Sequence, residues 1–185
     1  MKWIHKIGSA WGRPRGRFII TVAVLAGLFL LIYRDDLLGR LLDPWVEVTA
    51  QMTACLLQVF NMEAVRTGTQ IRHPGGFAYE IYYRCTAILP TMLLAVFIAA
   101  SPAPVSRKAV GLAVGVPALI IVNLLRLVHL FHTGVNNPAL FTMAHEVLWE
   151  IILIAAMLGL WWTWWRWAAG SNSGLPHNET ATYRG

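Results

Sequence analysis

The sequence predicts an all-α polytopic membrane protein of about four transmembrane helices, with an interfacial amphipathic helix and a small extracytoplasmic β-hairpin. Three observations lead there. Of the 185 residues, 57% are hydrophobic and 13% charged, a balance too apolar for an ordinary soluble domain. The apolar residues are gathered into runs separated by short polar or basic loops. The basic residues, fifteen Lys and Arg against nine Asp and Glu, fall between those runs instead of lining one face. They therefore read as topology signals, and no nucleic acid is expected as a partner. Cys55 and Cys85 lie thirty residues apart without a CxxC motif or a His/Cys cluster, so neither a metal nor any other cofactor is expected.

Met1 to Arg17 carries five basic residues and no acid, and the uncharged run Phe18 to Tyr33 follows. Tyr33-Arg-Asp-Asp stands where a signal peptide would have its small-residue cleavage site, so this run is expected to stay as a first span with its N-terminus in the cytoplasm. A helix is then expected over Trp45 to Met62, with Asp43 as N-cap and Pro44 in the first turn. Glu47, Gln51, Ala54 and Gln58 give it a polar stripe, so that it either spans or lies in the interface plane. Val65–Arg72 and Phe77–Tyr83 flank a Pro-Gly-Gly turn and read as a hairpin outside the bilayer. At its end stands Cys85, where the apolar run Thr86 to Ser101 begins.

The basic loop Pro102 to Lys108 leads into an apolar stretch that nonetheless contains Arg126. Counted from Ala109, that arginine is seventeen residues along, about 25 Å at roughly 1.5 Å per residue, and so nears the far face of a core about 30 Å thick. It is either a snorkelling side chain or a functional cation facing a polar site. A polar turn is expected over His132 to Pro138, then His145 at the start of the apolar run Ile151 to Trp165, which ends in a tryptophan belt. One integral-membrane domain thus covers residues 1–170, and residues 171–185 read as a disordered cytoplasmic tail.

With Trp45 to Met62 lying flat, the cytoplasmic side holds nine Lys and Arg and one acid, against six Lys and Arg and eight acids elsewhere, as the positive-inside rule favours. Four spans follow, and Cys85, Arg126 and His145 all fall at the outer face. A nucleophile, a cation and a base then share one depth.

In these residues the chain resembles the exosortase/archaeosortase family of membrane-embedded cysteine transpeptidase-like enzymes. The likeness is carried by Cys85 in Tyr83-Arg-Cys-Thr-Ala-Ile88, by Arg126 in Asn123-Leu-Leu-Arg-Leu127 and by His145 in Ala144-His-Glu-Val-Leu-Trp149. It covers Gly68 to Trp161 and looks most like the small H-type exosortases, with Ala87 standing where the family often has Gly. The resemblance implies a multi-pass protein of the inner (plasma) membrane, in contact with lipid, whose site faces the periplasm. Its substrates would be exported proteins ending in a short motif, an apolar helix and a basic tail. Cys85 would attack the peptide carbonyl, His145 would serve as base and then acid, and Arg126 would stabilise the thiolate or oxyanion. Resolution by water makes a protease, and by an envelope amine a transpeptidase.

Other readings stay open at this point. Cys85 is also readable as an inert core residue or as disulfide-bonded to Cys55, for which packing is the expected role. His129 and His132 compete with His145 for the working imidazole, Glu146 is an expected orienter of His145, and Glu150 an expected partner of Arg126. A small transporter or envelope-assembly scaffold using Arg126 and Glu150 is the rival class, with Pro90 and Pro117 as its candidate helix breaks.

Overall fold

The computed structural model describes residues 35–170 and, before them, helical positions 23, 24 and 27. Apart from those three positions, the expected first span lies outside the described residues, as does the expected tail. Helix α1 covers Asp35–Val59, strands β1 Val65–Thr67, β2 Gln70–Arg72 and β3 Ala78–Glu80 follow, and a 3-10 turn spans Tyr83–Cys85. Helices α2 Ile88–Ala100, α3 Val105–Asn136 and α4 Pro138–Met143 come next, then a π-helical turn Ala144–Leu148 and α5 Trp149–Gly170.

Helix α1 begins upstream of the expected start, so Asp43 is no N-cap and Pro44 lies inside the helix. Helix α1 accommodates Pro44 at the loss of a single backbone bond. Its inner face is Val46, Thr49, Ala50, Thr53, Ala54 and Leu57, all buried. The two threonines are tolerated there because each hydroxyl donates to its own helix, Thr49 to Trp45 O and Thr53 to Thr49 O, both at 2.8 Å. Of the expected polar stripe, Glu47, Gln51 and Gln58 are exposed, while Ala54 turns inward.

Where two strands were expected, there are three in an antiparallel meander of order β1-β2-β3. Gly68, at φ 61°, breaks the first run into β1 and β2, because the turn needs a left-handed residue there. The second turn closes through Gly76, at φ 101°, whose N–H donates to His73 O at 3.0 Å. One face of the sheet packs onto α1 and α3: Ile71 and Ile81 join Val46, Ala50, Leu57, Leu127, Val128 and Phe131 in a single cluster that also contains Cys85.

Below that cap, α2, α3 and α5 pack around a second cluster of Leu94, Ile98, Leu119, Met157, Trp164 and Ala168. Among the described residues, two helical stretches are long and apolar enough to cross a bilayer, Val105–Asn136 and Pro138–Ala169. The run expected as a span from Thr86 forms only the 13-residue α2. Outward-facing Val110, Val114, Ile121, Leu125, Ile151, Ile154 and Leu158 leave these helices with the apolar exterior of a membrane protein. The expected polar turn over His132 to Pro138 is mostly helix: α3 continues to Asn136 and stops there because Asn137, preceding Pro138, is driven to φ −147° and ψ 74°. Pro138 then starts α4 at the first helical position.

The basic loop does more than mark topology. Lys108 Nζ donates to Ala99 O at 2.7 Å and Arg107 to Ala168 O, so each cation serves the C-terminal carbonyls of a neighbouring helix. Trp164 Nε1 returns a bond to Arg107 O at 2.9 Å.

Docking of the sheet onto α3 relies on Gly134, where a Cβ would intrude into the Phe77 ring. That ring is already held among Phe131, Tyr79 and Phe141 at centroid distances of 6.0, 6.0 and 5.4 Å, so it has little freedom to yield. Gly134→Ala is expected to cost about 1–3 kcal/mol by overpacking. The check is thermal unfolding in detergent, with Gly159→Ala, where a Cβ meets nothing within 4 Å, as the neutral control.

Candidate active site

The 3-10 turn brings the chain out of β3 and ends on Cys85, which is 9% exposed and buried in the cap cluster. Its geometry is locally secured: Cys85 N donates to Tyr82 O at 2.8 Å, and Thr86 Oγ1 to Tyr83 O at 2.6 Å. Ala87 follows with φ −75° and ψ 8°, a conformation open to any L-residue, so this backbone does not require glycine. Pro90 lies in the first turn of α2, and Pro117 is within the unbroken α3.

Opposite Cys85 stands the π-helical turn. Such turns insert an extra residue into a helix and shift the faces on either side, and this one carries His145 toward the cap. His145 Nε2 is 3.9 Å from Cys85 Sγ. The imidazole is stacked on Phe141, with centroids 5.9 Å apart and planes at 20°, which fixes its tilt. Glu146 is exposed beside it.

Arg126 enters from α3 at 2% exposure. Its Nη2 donates to His145 O and approaches Glu150 Oε1, both at 3.5 Å. Glu150 thus partners Arg126, as the sequence suggested, while its own side chain keeps 53% exposure. The guanidinium is therefore not snorkelling but buried between α3 and the His145 helix. Its Nε–H is buried and has no hydrogen-bond partner among the described residues.

The structure thus gathers Cys85, His145, Arg126 and Glu150 and leaves the other candidates outside. His129 is exposed and accepts a hydrogen bond at Nδ1 from Trp149 Nε1 at 3.0 Å. His132 is exposed too, with Asn136 Nδ2 at 3.2 Å from its ring. Cys55 is a free, exposed thiol, not a packed one, because it lies on the face of α1 that the buried residues leave open. Cys85 is free as well, so no disulfide joins the pair.

Two neighbours escaped the sequence reading. Asn123 Nδ2 donates to Cys85 O at 3.0 Å, fully buried, one turn before Arg126. The Asn-x-x-Arg spacing was visible, but the bond from the amide to the cysteine backbone was not. Tyr79 donates to Leu127 O at 3.3 Å; its burial, and then the nearby Cys85, push its phenol well above the ordinary value and keep it a neutral donor.

Comparison with protein families matches the model described as Transmembrane exosortase to residues 7–165. No curated protein and no solved structure matches.

The thiols offer a direct check of this arrangement. Under native conditions a maleimide is expected to modify Cys55 before Cys85, and intact mass should show two free thiols on denaturation. A resting Cys55–Cys85 disulfide would contradict the geometry.

Proposed function

The chain belongs to the transmembrane exosortase family, and on that premise we propose that it is a cysteine protease or transpeptidase embedded in the inner membrane, cleaving the C-terminal sorting signal of exported proteins. The observation that carries this reading is the 3.9 Å approach of His145 Nε2 to Cys85 Sγ. A thiol and an imidazole within reach, with a cation on the imidazole's own backbone, are what activation of a sulfur nucleophile needs.

In the proposed reaction His145 takes the Cys85 proton and the thiolate attacks the peptide carbonyl. The tetrahedral oxyanion is stabilised by Arg126, whose charge is worth more in a dehydrated site than in water. The C–N bond breaks as His145 returns the proton to the leaving amine, which departs with the apolar helix and basic tail. A thioester on Cys85 remains, and water or an amine of the envelope resolves it, restoring the thiol. The rival reading takes the Arg126–Glu150 contact as a structural or pathway ion pair. It leaves the cysteine–histidine approach without a purpose.

The reading requires four spans, both termini in the cytoplasm, α1 flat in the interface and the site facing the periplasm. Reporter fusions within Ser106–Lys108 and after Gly170 should both read cytoplasmic, and one at Gly75 extracytoplasmic. A cytoplasmic signal at Gly75 would put Cys85 on the wrong side and end the proposal.

Cys85→Ala and His145→Ala are expected to abolish processing of an exported protein with such a signal, with membrane levels unchanged. Cys55→Ala, His129→Ala and His132→Ala should process it to within a few fold of normal. Arg126→Lys keeps the charge but loses the planar fork, and processing should fall about a hundredfold or more. Near-normal processing by Arg126→Lys would show that the guanidinium is not the oxyanion's partner.

A further inference from the structure

Asn123 has no part in the chemistry above, yet its side chain is only 1% exposed. Its Nδ2 donates to Cys85 O at 3.0 Å, which fixes the amide's orientation, since a carbonyl only accepts. That leaves Oδ1 on the other prong, buried and without a hydrogen-bond partner among the described residues. One turn on, Arg126 commits Nη2 to His145 O and Glu150, and its buried Nε–H is likewise unpartnered. Residues at i and i+3 of a helix are neighbours on one face. A single turn of α3 therefore holds an unused acceptor and an unused donor, with the backbone of Cys85 tied to one residue and the backbone of His145 tied to the other.

Buried polar atoms are rarely left unsatisfied unless something else completes them. The pair itself limits what that is. An anion would satisfy Nε–H and be repelled by Oδ1, an ammonium ion would do the reverse, and an apolar side chain would leave both unmet. A peptide main chain, in which one residue turns its N–H and its C=O to the same side, offers a partner to each.

We propose that Asn123 is a substrate-binding residue: its Oδ1 accepts a main-chain N–H of the sorting-signal peptide beside the scissile bond, while Arg126 Nε–H donates to a main-chain carbonyl. This rests on the cleavage reading above and adds to it how the peptide is held. Because both bonds go to main-chain atoms, they set the register of the substrate over Cys85 without reading any side chain. Asn123 also ties that grip to the nucleophile, since the same amide holds the Cys85 carbonyl.

The test uses the full-length protein in lipid nanodiscs and a synthetic peptide carrying the motif and apolar helix of an exported protein that the wild type cleaves. Each main-chain N–H flanking the scissile bond, other than the scissile one, is replaced in turn by an ester oxygen, which deletes the donor. Binding is measured to Cys85→Ala, which holds the peptide uncut. One ester position is expected to weaken binding about tenfold, the effect of leaving a buried acceptor unpaired. In Cys85→Ala/Asn123→Leu, amide and ester at that position should bind alike. If the leucine variant aggregates, Asn123→Ala in the same background gives the same comparison without added bulk.

An ester effect that persists without the Asn123 amide would overturn the proposal, as would a profile with no sensitive position, in which case bound water satisfies Oδ1. If the wild type cleaves no exported protein bearing such a signal and Cys85→Ala binds no peptide made from one, the cleavage reading itself is removed. A peptide that is cleaved but shows a flat ester profile would remove only the role of Asn123.

Discussion

The site is arranged around keeping one guanidinium charged inside an apolar bundle. Arg126 is 2% exposed, and an uncompensated cation there would cost several kcal/mol even after relaxation. Two groups offset that cost in different ways. Glu150 supplies opposite charge at 3.5 Å while keeping half its own surface in contact with the surroundings, so the pair is formed without burying two ions. The His145 carbonyl supplies a fixed dipole at the same distance, on the turn where the helix widens from α to π. Arg126 thereby links α3 to the backbone of the histidine that faces Cys85, and a change in its hydrogen bonding is felt by the imidazole through one carbonyl.

On the proposed topology Cys85 and His145 stand at a similar depth, but tertiary packing brings them into reach. Cys85 belongs to the cluster formed by the sheet, α1 and the upper part of α3, where Ile71, Ile81, Leu127 and Phe131 surround it. The sheet is thus a clamp that sets the height of the 3-10 turn, and Asn123 pins the last carbonyl of that turn to α3. Phe141 braces the opposite side by stacking on His145, while also meeting Phe77 from the sheet. Cys85 and His145 are therefore braced by one continuous group of aromatic side chains, drawn from three separated parts of the chain.

Much of this was legible in the sequence, for identifiable reasons. A lone arginine in an apolar run is costly enough to announce a partner, and Glu150 was nameable because an acid more than a turn deeper than His145 needs a partner of its own. Cys85, His145 and the Asn-x-x-Arg spacing were legible through a family likeness that the match over residues 7–165 bears out at the level of the family. Helix ends were not legible. His132, Thr133 and Asn136 look like a polar turn, yet Thr133 Oγ1 bonds His129 O and Asn136 Nδ2 bonds His132 O, both at 2.9 Å, so these side chains satisfy themselves on their own helix and α3 runs on. The extra strand was hidden because Gly68 was read as one residue of a strand, when its positive φ makes it a turn. The clamp by Asn123 was out of reach for a plainer reason: a hydrogen bond to a backbone carbonyl 38 residues away leaves no mark in local pattern.

The shortness of α2 is the remaining departure from expectation, and it suits the proposed chemistry. Thirteen residues rise about 20 Å, and Thr86 and Ala87, the only residues between the helix and Cys85, add about 5 Å, so from the basic loop to Cys85 the chain climbs about 25 Å. That falls just short of a hydrocarbon core about 30 Å thick. Along α3, Arg126 is twenty-one residues beyond Val105, about 32 Å, and helix tilt absorbs the difference between the two. On the proposed topology both groups therefore stand at the boundary between hydrocarbon and headgroups. A substrate whose cleavage motif directly precedes its own apolar helix presents its scissile bond at that same depth. A full-length span ending in Cys85 would lift the thiol into water, where the imidazole and guanidinium lose the dehydrated surroundings that give them their strength. The short helix, only two residues from Cys85, keeps the sulfur at the level its substrate can reach.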